Sequence, residues 1–280
     1  MISDNQTNKI YFSRKLEENP KYSETCRQII KTLDSYSVNY EFLEKTKDIW
    51  ARDYMPIQVS EDKFIEYRYD PDYLKQNKYI DSRTKPEIVC NSINLKTAKT
   101  DIILDGGNVI KSKNCVILTD KIVTENKLLY GKIELIKRLE ELFEVDNVIL
   151  IPWDKESIYG HSDGMIRFID DETVLIHEIY EPYKSIQQQL KQHGLKWEYL
   201  RFNGPKFNED MWPYINFLQT KDLILLPKLN IDEDEQAFAQ IQMYYPEYAE
   251  RKRIILIDMT EIVKGGGALN CISWTIKSNQ

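Results

Sequence analysis

The sequence predicts an α/β fold of five repeated strand–strand–helix–strand units closed into a five-bladed propeller. Three observations carry this. Asp53, Asn108, His161, Asn216 and Cys271 recur at intervals of 55, 53, 55 and 55 residues, so units of roughly 55 residues account for the whole 280-residue chain. Each of the five sits in a short β-like stretch followed by a turn signal and a second apolar run. The two ends of the chain each supply part of one unit, and sharing a blade between the ends locks a propeller closed.

In chain order, the first unit runs WARDYMPIQV and FIEYRY, then a long irregular stretch through residue 98 before IILD. The second is the clearest: IILDGGNVIKSKNCVILTDKIV reads as two strands around a turn at Ser112–Asn114. An amphipathic helix over 131–143 follows, with Ile133, Ile136, Leu139, Leu142 and Phe143 at three- and four-residue spacing, then the buried strand NVILIP. The third has a hairpin turning at Asp170–Glu172, a helix around Tyr183–His193 stopped by Gly194, and EYLRF as its closing strand. The fourth runs YINFLQTKDLILLPKL, a helix from Asp234 to Tyr244, and RIILIDM. The fifth takes GALNCISWTI from one end of the chain and KIYFS, a helix near 22–35 and VNYEFL from the other. An open α/β sheet is the commoner home of alternating strands and helices. Here strand pairs precede the helices, and no GxGxxG or Walker-type loop stands at a strand–helix junction. No linker rich in Pro, Gly or Ser breaks the chain, which predicts one domain over 1–280.

A formal charge of −7 lacks the basic face that phosphate binding needs, so nucleic acid is not an expected partner, while a cationic small molecule is compatible. No apolar run approaches a membrane span, and the polar start MISDNQTNKI lacks the apolar region of a signal peptide. Cys26, Cys90, Cys115 and Cys271 show no CxxC or disulfide-framework spacing, which fits a reducing cytoplasm. His161, His177 and His193 form no metal signature, so zinc is not expected. A homo-oligomer is compatible with the sequence and not required by it.

Chemistry concentrates at the repeat positions. Gly265-Gly266-Gly267 precedes Cys271 by a few residues, and such a run suits backbone that approaches a ligand closely or takes positive φ. That setting makes Cys271, read as lying in the strand, the candidate nucleophile, and leaves Cys26, Cys90 and Cys115 as buried structural thiols. A cysteine nucleophile needs a proton carrier. His161 is the one histidine in repeat register, flanked by Gly160 and Gly164; His177 and His193 read as exposed loop residues. On a strand, His161 and Asp163 would share a face. Asp53, in Trp50-Ala51-Arg52-Asp53, is a second carboxylate at the equivalent place, with a structural pairing to Arg52 as its alternative. Asp105-Gly106-Gly107-Asn108 offers a third, or an ordinary hairpin turn.

WARD, DGGN, GHSDG, YINF and GGGALNC, in this order over nearly the whole chain, resemble the agmatine deiminase and bacterial peptidylarginine deiminase family. The resemblance implies a pentein fold with pseudo-fivefold symmetry and hydrolysis of a guanidino group without metal or organic cofactor. It implies Cys271 as nucleophile, His161 as general acid/base and Asp53 and Asp163 as guanidinium-binding carboxylates. Asp105, Asn108, Asn216, Trp50, Arg52 and Tyr159 would shape the substrate site, with Gly106, Gly107, Gly160, Gly266 and Gly267 as close-approach loop positions. The substrate would be agmatine, a related arginine derivative or the arginine side chain of a peptide. Amidino transfer is the neighbouring chemistry, and a catalytically silent pentein binding module the non-enzyme alternative. Family members that act on peptidylarginine bind a substrate carboxylate with arginines after the WxRD motif; Arg68 and Arg83 follow it here. The tyrosine-rich stretch 66–80 is read as a lid or specificity loop, or a solvated insertion.

Overall fold

The computed structural model describes residues 1–76, 81–203 and 209–279. Its strands fall into five three-stranded sheets. β1 (Lys9–Ser13) and β2 (Asn39–Leu43) begin one blade. The next four are β3 (Ile57–Gln58), β4 (Phe64–Arg68) and β5 (Ala98–Ile103); β6 (Ile110–Lys111), β7 (Cys115–Thr119) and β8 (Asn147–Ile151); β9 (Ile166–Phe168), β10 (Thr173–His177) and β11 (Lys196–Leu200); and β12 (Leu218–Gln219), β13 (Ile224–Lys228) and β14 (Ile254–Asp258). β15 (Ser273–Ile276) returns to pair antiparallel with β1, Lys9 opposite Ile276, and completes the first blade. In every blade the inner pair is antiparallel and the outer pair parallel. A parallel pair needs a crossover, and a helix supplies it each time: Ser23–Ser35, Pro86–Ser92, Lys132–Phe143, Lys184–Gln192 and Glu233–Tyr244. The helix Pro86–Ser92 lies inside the stretch read as irregular. Its proline at the first turn is the signal that marks it.

Helix packing follows the pattern with one correction. In Lys132–Phe143 the buried stripe is Leu135, Leu139 and Phe143. Ile133 stands 74% exposed, because a stripe registered on Leu135 turns position 133 outward. Leu139→Ala should therefore lower unfolding free energy by about 2–5 kcal/mol, whereas Ile133→Ala should change it by under about 0.5 kcal/mol, in denaturant titrations.

The repeat-register residues are not in strands. Asp53 lies in the one-turn helix Ala51–Tyr54, Asn108 in the 3-10 turn Gly106–Asn108, and His161 caps the turn Ser162–Gly164. Asn216 follows the turn Glu209–Ile215, and Cys271 lies in the turn before β15. Each tight turn feeds the innermost strand of its blade. His161 and Asp163 therefore share a tight turn and not a strand face, and Asp163 still bears on His161 electrostatically.

His177 is a second correction: it is buried in β10, its Nδ1 accepting the Ile179 N–H. Burial lowers its pKa to about 4. The unfolded chain, with an ordinary histidine pKa near ~6.5, then takes up a proton that the fold refuses. The stability contribution is complete above the unfolded value and is lost as pH falls through about 4. His177→Asn, which keeps an acceptor for Ile179, should flatten the acid side of a stability–pH profile. His193, by contrast, is exposed at its helix end.

Candidate active site

The mouth of the axis gathers groups from all five blades. Cys271 is 7% exposed, with its Sγ 3.3 Å from Asn216 Oδ1 and 3.7 Å from Asp163 Oδ2. Asn270 Nδ2 donates to that same Asp163 oxygen at 2.7 Å, fixing the carboxylate beside the sulfur. His161 is held between two other acids: Nε2 lies 2.9 Å from Asp105 Oδ2 and Nδ1 lies 3.6 Å from Asp53 Oδ1. Asp53 Oδ1 also accepts the Gly107 N–H at 3.1 Å.

Three carboxylates around one imidazole set the electrostatics. Burial alone would depress the His161 pKa, but Asp53, Asp105 and Asp163 together raise it to about 9. Burial pushes Asp53 up to about 7, against the pull of His161 and with repulsion from Asp105, Asp163 and Asp48. Burial also raises the Cys271 thiol well above its ordinary value, and Asp163 and Asp53 add to this. The empty site therefore favours imidazolium and thiol, and only added positive charge would draw the thiol towards thiolate. Among the described residues no group of three metal-ligating side chains is arranged to hold a metal.

The structure sorts the remaining candidates. Asn216 touches the sulfur, and it also joins blades: its Oδ1 accepts the Cys271 N–H and its Nδ2 donates to the Asp163 carbonyl, both at 3.3 Å. Asn108 is purely such a joint. Its Oδ1 accepts the Thr119 N–H of its own blade and the Ser162 N–H of the next, at 2.9 and 3.3 Å, so its acceptor is spent on backbone. Arg52 is likewise not in the clamp: its Nε donates to the Asn270 carbonyl at 3.3 Å and its side chain lines the axis beside Lys111. The alternative pairing of Arg52 with Asp53 does not occur. Asp105 is a histidine partner as well as a turn residue.

The glycines accommodate the protein's own side chains. Gly266 has φ +88°, and a Cβ there would meet the Tyr159 hydroxyl at 2.6 Å; a Cβ at Gly267 would meet the Trp50 ring at 2.2 Å. Trp50 and Tyr159 thus pack the turn leading to Cys271, and the Tyr159 ring centre lies 5.9 Å from that of His161. Gly106 approaches the Arg52 carbonyl, and Gly160 (φ +64°) packs on Trp153. Gly107 sits between catalytic candidates: a Cβ would lie 2.6 Å from both Asp53 Oδ1 and His161 Nδ1. Gly107→Ala should cost about 10²-fold or more in kcat, since misplacement on this scale is enough, with circular dichroism unchanged.

Two residues escaped the sequence reading. Asn270 adjoins the cysteine and carries no separate signal. Tyr73, from the 3-10 turn Asp72–Leu74, donates its hydroxyl to Asp105 Oδ2 at 3.2 Å and stacks edgewise on Tyr159 at 5.1 Å. Its segment stands out by tyrosine content, but nothing in sequence distinguishes this tyrosine from its neighbours. Lys121 ties the segment down, its Nζ bonding Asp72 and the Tyr159 carbonyl, both at 2.9 Å. The part of the 66–80 stretch at 77–80 lies outside the described residues.

A ring of five β-sheets with a thiol, an imidazole and acids at its mouth defines the pentein class. Solved structures share this fold: the agmatine deiminase of Enterococcus faecalis (TM-score 0.76, 19% identity, covering 100% of this chain and 96% of that one) and DDAH of Pseudomonas aeruginosa, solved with citrulline (TM-score 0.60, 13%, 97% and 100%). Within the class, the chain belongs to the Porphyromonas-type peptidyl-arginine deiminase family, whose model matches residues 2–276. Its relatives include proteins named "putative agmatine deiminase" from Enterococcus faecalis, 24% identical over 66% of this chain and 60% of the relative, and from Lactococcus lactis, 22% identical over 81% and 74%. The match thus spans less than two thirds of the Enterococcus relative.

Proposed function

We propose that this protein is a guanidine deiminase that converts a guanidino substrate into its ureido product and ammonia through a covalent intermediate on Cys271. The observation that carries this reading is the trio Asp53, Asp105 and Asp163, buried together around one histidine and one cysteine. A guanidinium is planar and permanently charged, and paired carboxylates can take its N–H groups in charge-assisted bonds. Asp163 beside the sulfur and Asp53 beside the imidazole hold its carbon between nucleophile and acid. Its charge offsets the crowding of acids and draws Cys271 towards thiolate.

The thiolate adds to the guanidinium carbon. His161, imidazolium at neutral pH, gives its proton to the departing nitrogen, and ammonia leaves a thiouronium on sulfur. Neutral His161 then takes a proton from water, whose oxygen adds to the same carbon. Collapse forms the C=O bond and breaks the C–S bond, the hydroxyl proton passing to sulfur in place of the one that the thiol lost to solvent, which releases the ureido product and restores the Cys271 thiol and the His161 imidazolium. Asp105 keeps His161 protonated and oriented throughout.

Among substrates the site favours a chain ending in an amine over one ending in a carboxylate. The arginines that follow the WARD motif, Arg68 and Arg83, both pair with Asp70, and Lys121 is held by Asp72 and Glu125. Agmatine meets that description; free arginine and arginine peptides do not. The test is a colorimetric assay for ureido product, with ammonia measured in parallel, across agmatine, arginine, methylated arginines and an arginine peptide. Equal ureido product and ammonia with agmatine preferred is the expected result. Turnover that requires an added amine and releases no ammonia would indicate amidino transfer, and no turnover on any substrate by folded protein would indicate a binding module.

A further inference from the structure

Behind the mouth, the innermost strands carry polar residues along the axis: Gln58, Lys111, Arg167, Gln219 and Thr275, one per blade and all buried. They follow the mouth residues along their strands and so lie deeper in the ring. Arg52 joins them from the mouth side. The far end is covered by the N-terminal turn Asp4–Gln6, which precedes β1 and lies beyond the end of β15.

Two buried cations, Lys111 and Arg167, pair with one acid there, and a third, Arg52, stands behind them towards the mouth. Arg52 is 8% exposed, Lys111 9% and Arg167 2%. The Asp4 carboxylate lies 3.0 Å from Arg167 Nη2 and 3.5 Å from Lys111 Nζ. Asp170 and Asp171 stand at the rim of the same space, each with its Oδ1 accepting backbone N–H groups, those of Glu172 and Thr173 and that of Lys113. Buried cations without counter-charge are costly, so an anion is required at this point. Arg167 Nη1 and Asp4 Oδ1, among the described residues, have no hydrogen-bond partner. A void of about 20 Å³ bounded by Asp4, Lys111, Arg167 and Gln219 adjoins them. Burial lowers the Lys111 pKa, Asp4 opposes that, and Arg52 and Arg167 add to it.

We propose that Lys111 and Arg167, with the charge of Arg52 behind them, form an oxyanion-binding site at the rear of the axis, whose resident ligand is the chain's own Asp4 carboxylate and which takes a small free oxyanion of the carboxylate or phosphate type when Asp4 is withdrawn. The site reads through to the mouth. Arg52 donates its N–H to the Cys271 carbonyl at 3.1 Å and its Nε to the Asn270 carbonyl. Arg52 is thereby a positioning residue for the nucleophile's turn.

The experiment is anion rescue of Asp4→Ala. This variant should melt about 10 °C below the wild-type protein, the scale set by stripping the partner from a buried charge in a chain of this size. Formate should restore the midpoint saturably, acetate less so, and phosphate or sulfate least, because the space freed is that of one carboxylate. Chloride at equal ionic strength should not restore it. Adding Arg167→Met should abolish the formate effect, and wild-type protein should show none. Asp4→Ser gives the same readout should the alanine variant not be recovered. An Asp4 variant as stable as the wild type overturns the proposal, as does formate acting equally on the wild type, the Asp4 variant and the double variant, or no rescue by any oxyanion in either Asp4 variant.

Discussion

Cys271→Ala is expected to remove ureido product formation by at least about 10⁴-fold, the scale on which loss of a covalent nucleophile acts. The variant should still bind guanidino ligands in calorimetry, because the acids that receive the cation remain. Asp163 keeps its bond from Asn270, and Asp53 keeps its bond from Gly107. The thiolate that the cation draws out is lost with the side chain, so affinity should hold or weaken modestly, carried by the remaining acids. Retained turnover in this variant would rule out the covalent route. The same route predicts an adduct of substrate mass less one ammonia on the peptide containing Cys271, trapped when water attack is slowed, as in His161→Asn.

The second large effect belongs to His161. His161→Asn should lower kcat by about 10²–10⁴-fold, the usual worth of general acid–base assistance. The pH profile of kcat/KM gives the sharper test. The productive form carries Asp53 as carboxylate and His161 as imidazolium. Asp53 has its pKa pushed up to about 7, so activity should rise as pH climbs through that value. His161 has its pKa raised to about 9, so activity should fall as pH passes it and the imidazolium loses its proton. Asp105→Asn removes one of the charges that raise His161, and the alkaline limb should move to lower pH. An alkaline limb unmoved in that variant would assign it to another group.

The spacing of Asp53, Asn108, His161, Asn216 and Cys271 made the five blades legible, because side chains at equivalent places in a closed ring must converge. The convergence of Cys271, His161, Asp53, Asp105 and Asp163 followed from it. Side-chain direction did not follow. Asn108 and Asn216 occupy the same repeat position, but the oxygen of one meets only backbone, in its own blade and the next, while that of the other also meets the sulfur. Arg52 is adjacent to Asp53 yet points along the axis, because a helical turn sends successive side chains apart. The β-like composition around these positions hid those turns, since a one-turn element is too short to show a 3.6-residue period. His177 looked exposed because a lone histidine in an alternating segment carries no burial signal, and Tyr73 was lost among neighbouring tyrosines.

The pairing of β1 with β15 bears on how catalytic competence is reached during folding. Strands from opposite ends of the chain, Lys9 to Phe12 against Ser273 to Ile276, must meet before the blade bearing the sulfur exists. Bringing such distant segments together carries a loop-closure entropy that local hairpins avoid, and topologies rich in remote contacts fold slowly. The nearer blades, each built from about fifty consecutive residues, can form beforehand while the nucleophile still has no imidazole opposite it. Recovered activity in a refolding time course should therefore follow the slowest kinetic phase, after most far-ultraviolet ellipticity has returned.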